Sequence, residues 1–121
     1  MTKDPYAKFK NFSMSEHHPL RDFMAAPDAY GFYEIGIVHG AMFVPKYGGR
    51  SAGTTLRRRL KKHFDQSHND SIAKAEEPLY FRYYKTKTDG EARFVEALNI
   101  VAMDYPWNKR QEWRQHFALE P

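Results

Sequence analysis

The chain has 121 residues, enough for one domain that buries a single core without staples. It contains no cysteine, which excludes disulfides and thiolate metal sites. Nineteen Lys and Arg against fifteen Asp and Glu give a formal net charge of +4, an excess that favours nucleic-acid partners only slightly. No window is apolar over the length of a membrane span and the N-terminus lacks an apolar signal region, so we expect a cytoplasmic protein without a membrane partner.

Residues 1–30 are predicted to form an N-terminal arm. Prolines interrupt this stretch, and only residues 20–26 have the composition of a short helix. Lysines and aromatic residues alternate over residues 3–12, so the arm either packs its rings on the domain or touches nucleic acid, and packing is the simpler interpretation. His17 and His18 are not interpreted as a metal pair, because adjacent side chains do not face the same way in a regular element.

Two runs of β-forming residues, 32–38 and 42–47, predict a β-hairpin, because the connection between them contains Gly40, which tolerates a positive φ. The two glycines that follow are expected to end the second strand. Tyr47 stands directly beside Gly48, and Tyr33 lies two residues after Gly31. Small neighbours let a phosphate or a metal-bound water approach the phenol oxygens closely, so both tyrosines are candidate site residues.

Residues 53–67 predict a basic helix with a threonine, 54 or 55, as its N-cap. Arg59 and His63 are four residues apart and therefore lie side by side, next to an apolar stripe formed by Leu56, Leu60 and Phe64. A guanidinium held rigidly in this way can clamp two phosphate oxygens. The other cations are predicted either to bind nucleic acid or only to solvate the surface; they are Arg50, Arg57, Arg58, Lys61 and Lys62.

Three further elements complete the expected fold. Residues 65–77 are a polar connection, and residues 79–85 alternate as a third strand does. A capping box at residues 88–91 opens a second helix that runs to about Asp104, with a core stripe of Phe94, Leu98 and Val101. These elements predict a small α/β (α+β) domain over residues 31–121, a three-stranded antiparallel sheet flanked by helices.

Two polar residues near the end of the chain are further candidates. Glu96 lies on the second helix opposite the core stripe, among apolar neighbours, where burial of an acid is costly unless it meets a cation. A surface position for Glu96 is the alternative. Asn108 lies in a turn where asparagine is common, and residues 109–117 predict a last short helix.

The tripeptides at 31–33 and 47–49, spelled GFY and YGG, resemble the paired strand motifs of the GIY-YIG nucleases. Gly48 stands where the family prefers an aliphatic residue. The family pattern continues with an arginine on the following helix, a histidine one turn on, a distant glutamate and an asparagine. The chain offers these in order as Arg59, His63, Glu96 and Asn108. The ordered set spans roughly residues 31–108 and is much more specific than either tripeptide.

The resemblance implies a metal-dependent DNA endonuclease that hydrolyses phosphodiester bonds. It implies that Tyr33 takes a proton from the attacking water and that Tyr47 orients the nucleophile or the phosphate. Glu96 would hold one Mg²⁺ (or Mn²⁺) ion, for which one carboxylate suffices because the ion keeps most of its waters. Cations of the neighbouring helix are expected to lower the tyrosine pKa below its ordinary value of about 10.

The other residues of the pattern would assist these groups. Arg59, together with Arg50, would neutralise phosphate charge. His63 would relay the proton or hold a tyrosine, and Asn108 would steady the site from its turn. Specificity would then be low, or set by the N-terminal arm, the connection at 65–77, a homodimer or a targeting subunit.

Two other classes of protein stay open. A non-catalytic nucleic-acid-binding domain of the same fold would bind DNA but show no metal-dependent cleavage. A protein-interaction domain, whose basic helix meets an acidic partner, would have negligible affinity for DNA at moderate salt. Nucleic-acid binding weakens steeply as salt rises, which separates the last two classes.

Overall fold

A computed structural model describes residues 13–108. Its elements in chain order are β1 (His18–Pro19), a 3-10 helix (Leu20–Ala25), β2 (Gly31–His39), β3 (Met42–Arg50), α1 (Leu56–Gln66), α2 (Asp70–Ala73), β4 (Tyr80–Lys85) and α3 (Asp89–Ala102). The stretch 3–12 and the predicted tail helix at 109–117 lie outside the described residues. Among those described, no helix has both the length and the apolarity that crossing a membrane requires.

The sheet is antiparallel throughout, with strand order β1-β4-β2-β3, and this confirms the α+β class. The predicted number of three strands is wrong, since the described residues form four. The extra strand β1 has only two residues, and His18 pairs with Phe81 of β4. A strand this short carries no alternation from which it could be predicted; it forms because the preceding chain returns along the free edge of β4.

The second strand of the hairpin continues through its two glycines, so the predicted break there is wrong. Gly48 pairs with Glu34, Gly49 pairs with Tyr33, and the strand ends only at Arg50. A Cβ on Gly48 would lie 2.6 Å from the Tyr105 ring, and one on Gly49 would lie 2.6 Å from the Tyr33 hydroxyl. The glycines therefore make room for side chains that cross the strand on its two faces.

The core has two parts, one on each face of the sheet. Helix α1 covers the first part, in which the largest fully buried side chains are Tyr33, Ile35, Leu56, Leu60 and Phe81. Helix α3 covers the second part, which contains Phe32, Val95, Ile100 and Tyr105. Because neighbouring residues of a strand face opposite sides, Tyr33 and Glu34 enter different parts of the core.

Helix α1 follows the prediction closely. Thr55 is its N-cap and accepts a hydrogen bond from the Arg58 amide. Leu56 and Leu60 are fully buried, as expected, but Phe64 is half-exposed and instead packs on Phe23 of the 3-10 helix, with ring centroids 5.8 Å apart.

Helix α3 is turned the opposite way from the prediction. Of the predicted core stripe, Leu98 and Val101 are exposed, and only Phe94 is partly buried. The face that packs on the sheet carries Ala92, Val95, Glu96 and Ile100, and the helix ends at Ala102. Both faces are rich in apolar residues, so periodicity alone does not distinguish them. The orientation seen here is stable because Glu96 meets a cation where it is buried.

The described part of the predicted arm packs on the domain. Besides β1, Leu20 and Ala26 are buried in the first part of the core. The division of the chain at residue 30 stays a prediction.

Candidate active site

A cavity of about 150 Å³ lies where β2, β3, α1 and α3 meet. Four residues predicted from the family pattern line it, namely Tyr33, Tyr47, Arg59 and Glu96. The remaining lining residues are Arg50, Ala52 and His68. Side chains that lie far apart in the sequence therefore face one small space.

The rings of Tyr33 and Tyr47, which line the cavity, pack against the ring of His63, which does not line it. The Tyr33 and Tyr47 ring centroids are 6.2 Å apart, and the His63 ring stands edge-on to both, at 5.6 Å and 5.5 Å. The Tyr33 hydroxyl lies 2.7 Å from Nε2 of His63. Since Tyr33 pairs with Gly49, no side chain of β3 separates its phenol from the neighbouring ring of Tyr47.

His63 links the phenol to a hydroxyl on its other side. Its Nδ1 lies 2.7 Å from Oγ of Ser67, one turn further along the chain. Burial, assisted by the charges of His68 and Arg59, lowers the pKa of His63 to about 3. The ring is therefore neutral near pH 7, with one donor and one acceptor nitrogen. Tyr33, His63 and Ser67 thus form a hydrogen-bonded chain along which a proton can move.

The prediction that cations lower the tyrosine pKa is wrong in its net direction. Burial raises the pKa of Tyr33 well above its ordinary value, although the charge of Arg59 and hydrogen bonds from Arg59 and Tyr47 pull it down. The reason is that Tyr33 is fully buried, so the phenolate loses its hydration. Tyr33 is consequently a neutral phenol near pH 7.

Arg59 lines the cavity and carries a buried donor. Burial on its own lowers the pKa of Arg59, but the nearby Tyr33, Tyr47 and Glu96 raise it overall, so the guanidinium stays charged. Within residues 13–108, its Nε is buried and makes no hydrogen bond. A buried donor without a partner is costly, and an anionic oxygen in the cavity would satisfy it.

Glu96 is buried and faces a cation. Its Oε1 lies 3.2 Å from Nε of Arg50. Arg50 also contacts a second carboxylate, because its Nη1 lies 3.4 Å from each carboxylate oxygen of Asp89. Arg50 thus stands between Asp89 and Glu96, and its charge is shared with the protein's own acids.

Asn108 supports the strand rather than lining the cavity. Its Oδ1 accepts from the Gly48 amide and its Nδ2 donates to the Gly48 carbonyl, both at 2.9 Å. The amide of Trp107 donates to the Lys46 carbonyl, also at 2.9 Å. The turn at 107–108 therefore holds the outer edge of β3 beside the two tyrosines.

A buried polar cluster on the other face was not found from the sequence. Glu34 accepts hydrogen bonds from Nε of Arg82 and from the hydroxyl of Tyr105, both at 2.5 Å. Burial and the Glu34 charge raise the pKa of Tyr105 far above its ordinary range, so its hydroxyl remains a donor. Tyr105 packs against Gly48, so this cluster fixes the strand from behind. Arg82 and Tyr105 follow Glu34 by 48 and by 71 positions in the sequence. No spacing rule predicts a contact between residues so far apart.

His68 was also missed. Its ring centroid lies 5.2 Å from that of His63. It belongs to the polar connection, where a lone histidine carries no signal of its own.

The predicted nucleic-acid-binding cations occupy different environments. Nε of Arg57 donates to the Ala26 carbonyl and ties α1 to the 3-10 helix. Lys61 pairs with Asp65 on the surface at 2.5 Å. Arg58 and Lys62 are exposed. Their role in binding nucleic acid stays a prediction.

No protein-family model and no curated protein matches this sequence. Among solved structures, the GIY-YIG N-terminal endonuclease domain of UvrC from Thermotoga maritima, bound to its catalytic magnesium, is 22% identical with a TM-score of 0.57. That match covers 74% of this chain and 96% of that domain. A point mutant of the same domain, bound to its catalytic divalent cation, is 24% identical with a TM-score of 0.58, and the match covers 75% of this chain and 96% of the mutant.

The chain therefore has the fold of the GIY-YIG endonuclease domain. The resemblance seen in GFY and YGG is confirmed at the level of the fold.

Proposed function

We propose that the protein is a metal-dependent DNA endonuclease of the GIY-YIG type. The observation that carries this proposal is the convergence of Tyr33, Tyr47, Arg59 and Glu96 on one small cavity. These residue types supply what phosphodiester hydrolysis needs: a proton acceptor for water, charge for the phosphate and a metal ligand. The fold shared with the UvrC endonuclease domain supports the same conclusion.

The residues present fit one hard divalent cation. Within the described residues, no three His, Asp or Glu side chains cluster as a metal site. Mg²⁺ does not need such a cluster, because it is commonly bound by one or two carboxylates and keeps several waters. Glu96 would be the protein ligand, in a cavity with room for an ion and some of its waters. When bound, Mg²⁺ (or Mn²⁺) would neutralise charge on the phosphate and the leaving oxygen.

Arg59 is proposed to hold the scissile phosphate. Its buried Nε has no partner within residues 13–108, and its guanidinium stays charged beside the two phenols. A phosphate oxygen that reaches this donor would satisfy it. Such preorganised donors stabilise the charge that develops during phosphoryl transfer.

Tyr33 is proposed to pass a proton rather than to act as a phenolate. Since its pKa is raised, it would take a proton from water while its own proton moves to Nε2 of His63. Arg59 and His68 help to keep the pKa of His63 low. A bound phosphate would offset those charges and raise that pKa, so His63 would become a better acceptor only when substrate is present. Tyr47 would orient the water or the phosphate.

One observation favours a non-catalytic nucleic-acid-binding domain as the second candidate. Glu96 is already paired with Arg50, so the carboxylate is not free of cations before a metal arrives. That a homodimer or a targeting subunit sets the specificity stays a prediction. The cytoplasmic location also stays a prediction.

Metal-dependent cleavage separates the two candidates. Supercoiled plasmid and structured oligonucleotides would be incubated with the protein in Mg²⁺, in Mn²⁺ and in chelator. We expect cleavage only with metal, and loss of cleavage with retained DNA affinity in Glu96→Gln. Glu76→Gln, which removes an exposed acid, is the matched control and should cleave normally. Equal, metal-independent nicking by wild type and Glu96→Gln would overturn the proposal.

A further inference from the structure

A second, larger cavity of about 590 Å³ lies at the start of α1. Three cations line it, Arg58 from α1 and Lys85 and Lys87 from the end of β4 and the loop beyond it. The lining also includes the half-exposed ring of Tyr30 and one acid, Asp28.

This cavity adjoins the candidate active site. Ala52 lines the cavity of the candidate active site, called the catalytic cavity below, and Gly53 lines the second cavity. Both residues have positive φ values, 51° and 80°, so the chain turns sharply between the two cavities. Tyr30 precedes Tyr33 by three residues, which is roughly 10 Å along an extended strand. A polymer that leaves the catalytic cavity over this turn would therefore enter the second cavity.

The charges here are available to a ligand. Within residues 13–108, none of Arg58, Lys85 and Lys87 forms an ion pair with a carboxylate. Arg50, by contrast, is paired with Asp89 and Glu96. Three cations against one acid leave a net positive space, and an exposed aromatic ring offers a face on which a base can stack.

We propose that this cavity is a non-catalytic subsite that binds the sugar-phosphate backbone of the nucleic-acid strand beside the scissile phosphate. The lysines and Arg58 would contact phosphates, and Tyr30 would stack on a base. The subsite rests on the proposed function for its position in the substrate path. Cations interleaved with an aromatic ring suit nucleic acid better than an acidic polypeptide, which has no planar bases to stack.

Arg58 would extend the path along α1. It also forms a wall of a smaller cavity of about 350 Å³, which Lys61 and Lys62 line as well. Arg58 and Lys62 are four residues apart, so they lie on one face of the helix. The backbone contacts would thus continue for one helical turn away from the catalytic cavity.

The test compares two double variants of equal charge. Lys85→Ala/Lys87→Ala removes two cations of the subsite, and Lys74→Ala/Arg93→Ala removes two exposed cations that line neither cavity. Labelled oligonucleotides of increasing length would be titrated in chelator over a range of salt concentrations. Thermal unfolding of both variants would show that the fold is retained.

We expect the subsite variant to bind long oligonucleotides at least tenfold more weakly than the control. Its plot of log affinity against log salt should be shallower by about 2, since about one counterion is released per phosphate contact. Short oligonucleotides that fill only the catalytic cavity should bind both variants equally. Tyr30→Leu should weaken the binding of single strands with little change in the salt slope.

The outcomes separate this inference from the proposed function. Equal affinities of the two double variants would overturn the subsite, while metal-dependent cleavage by wild type would still support the nuclease. Weakened binding by the subsite variant, with no cleavage by wild type, would support the subsite and overturn the nuclease. Loss of affinity for poly-glutamate but not for oligonucleotides would overturn the subsite in favour of an acidic protein partner.

Discussion

Nε of Arg50 lies 3.2 Å from Oε1 of Glu96, so the proposed metal ligand is paired with a cation of the same chain. Asp89 holds the other end of the Arg50 guanidinium. A divalent cation at Glu96 would therefore compete with Arg50 for the same carboxylate. The pair neutralises a buried acid in the absence of metal.

Arg50→Gln should raise the affinity of the site for Mn²⁺ or Mg²⁺. Removing a positive charge this close to a buried carboxylate strengthens its attraction for a cation, and we expect roughly tenfold tighter binding, about 1.4 kcal/mol. Calorimetric titration with Mn²⁺ measures the change. Arg21→Gln removes an exposed arginine as the control. Weaker metal binding in Arg50→Gln would contradict the proposed competition.

Gly49→Ala should impair cleavage more than it impairs DNA binding. The new Cβ would lie 2.6 Å from the Tyr33 oxygen and 3.0 Å from the Tyr47 ring, so the phenol must move. Displacing a reacting group by about 1 Å costs on the order of a hundredfold in rate. Gly90→Ala is a suitable control, because its Cβ would meet only the Thr88 hydroxyl at 3.9 Å. The measurements are initial cleavage rates and dissociation constants; an unchanged rate would show that the Tyr33 position is not critical.

His63 should make the protein less stable as the pH falls below neutral. The pKa of His63 is about 3 in the folded protein and 6.5 ordinarily, so between these values the unfolded chain binds the extra proton. The free energy of unfolding should therefore fall by up to about 1.4 kcal/mol per pH unit in that window, from this group alone. Urea unfolding at several pH values measures it.

His63→Gln should flatten this pH dependence, while the exposed His39→Gln should not. If the two variants show the same slope between pH 6 and pH 4, His63 is not the group responsible.

Tyr105→Phe should destabilise the fold while leaving the ring against Gly48. The substitution removes the hydroxyl that donates to Oε2 of Glu34, and a buried acceptor without its donor costs about 1–3 kcal/mol, more for a charge. Tyr80→Phe is the control, since Tyr80 lies in the same sheet but is only partly buried. Chemical denaturation compares the two free energies of unfolding, and equal values would contradict a structural role for the Glu34 cluster.

On the α1 side, local rules predicted which side chains lie together, and the family resemblance supplied their candidate roles. Arg59 and His63 are four residues apart on a helix whose N-cap and apolar stripe can both be recognised in the order of the residues. Tyr33 and Tyr47 stand out because each belongs to a glycine-containing tripeptide, GFY and YGG. These sequence patterns lie within a few residues of the side chains concerned. They therefore do not depend on contacts between distant segments.

Relationships between distant segments were not predictable in the same way. Helix α3 has apolar residues on two faces, and the face that packs on the sheet is the one that brings Glu96 to Arg50. From the sequence alone, the Gly48-Gly49 pair predicts the end of a strand. In the structure the strand continues, and the glycines make room for the rings of Tyr105 and Tyr33. The deciding contacts of Glu96 with Arg50 and of Tyr105 with Gly48 join residues dozens of positions apart, for which a single sequence carries no signal.

The contacts of Trp107 and Asn108 with β3 also bear on self-association. Among residues 13–108, strand β3 is the last in the sheet order, and an unpaired outer strand is where another molecule can add a strand of its own. At Lys46 and Gly48 the outward backbone groups are already occupied by the turn that follows α3. The part of β3 that leads into its two glycines is thereby shielded from the intermolecular strand addition that leads to aggregation.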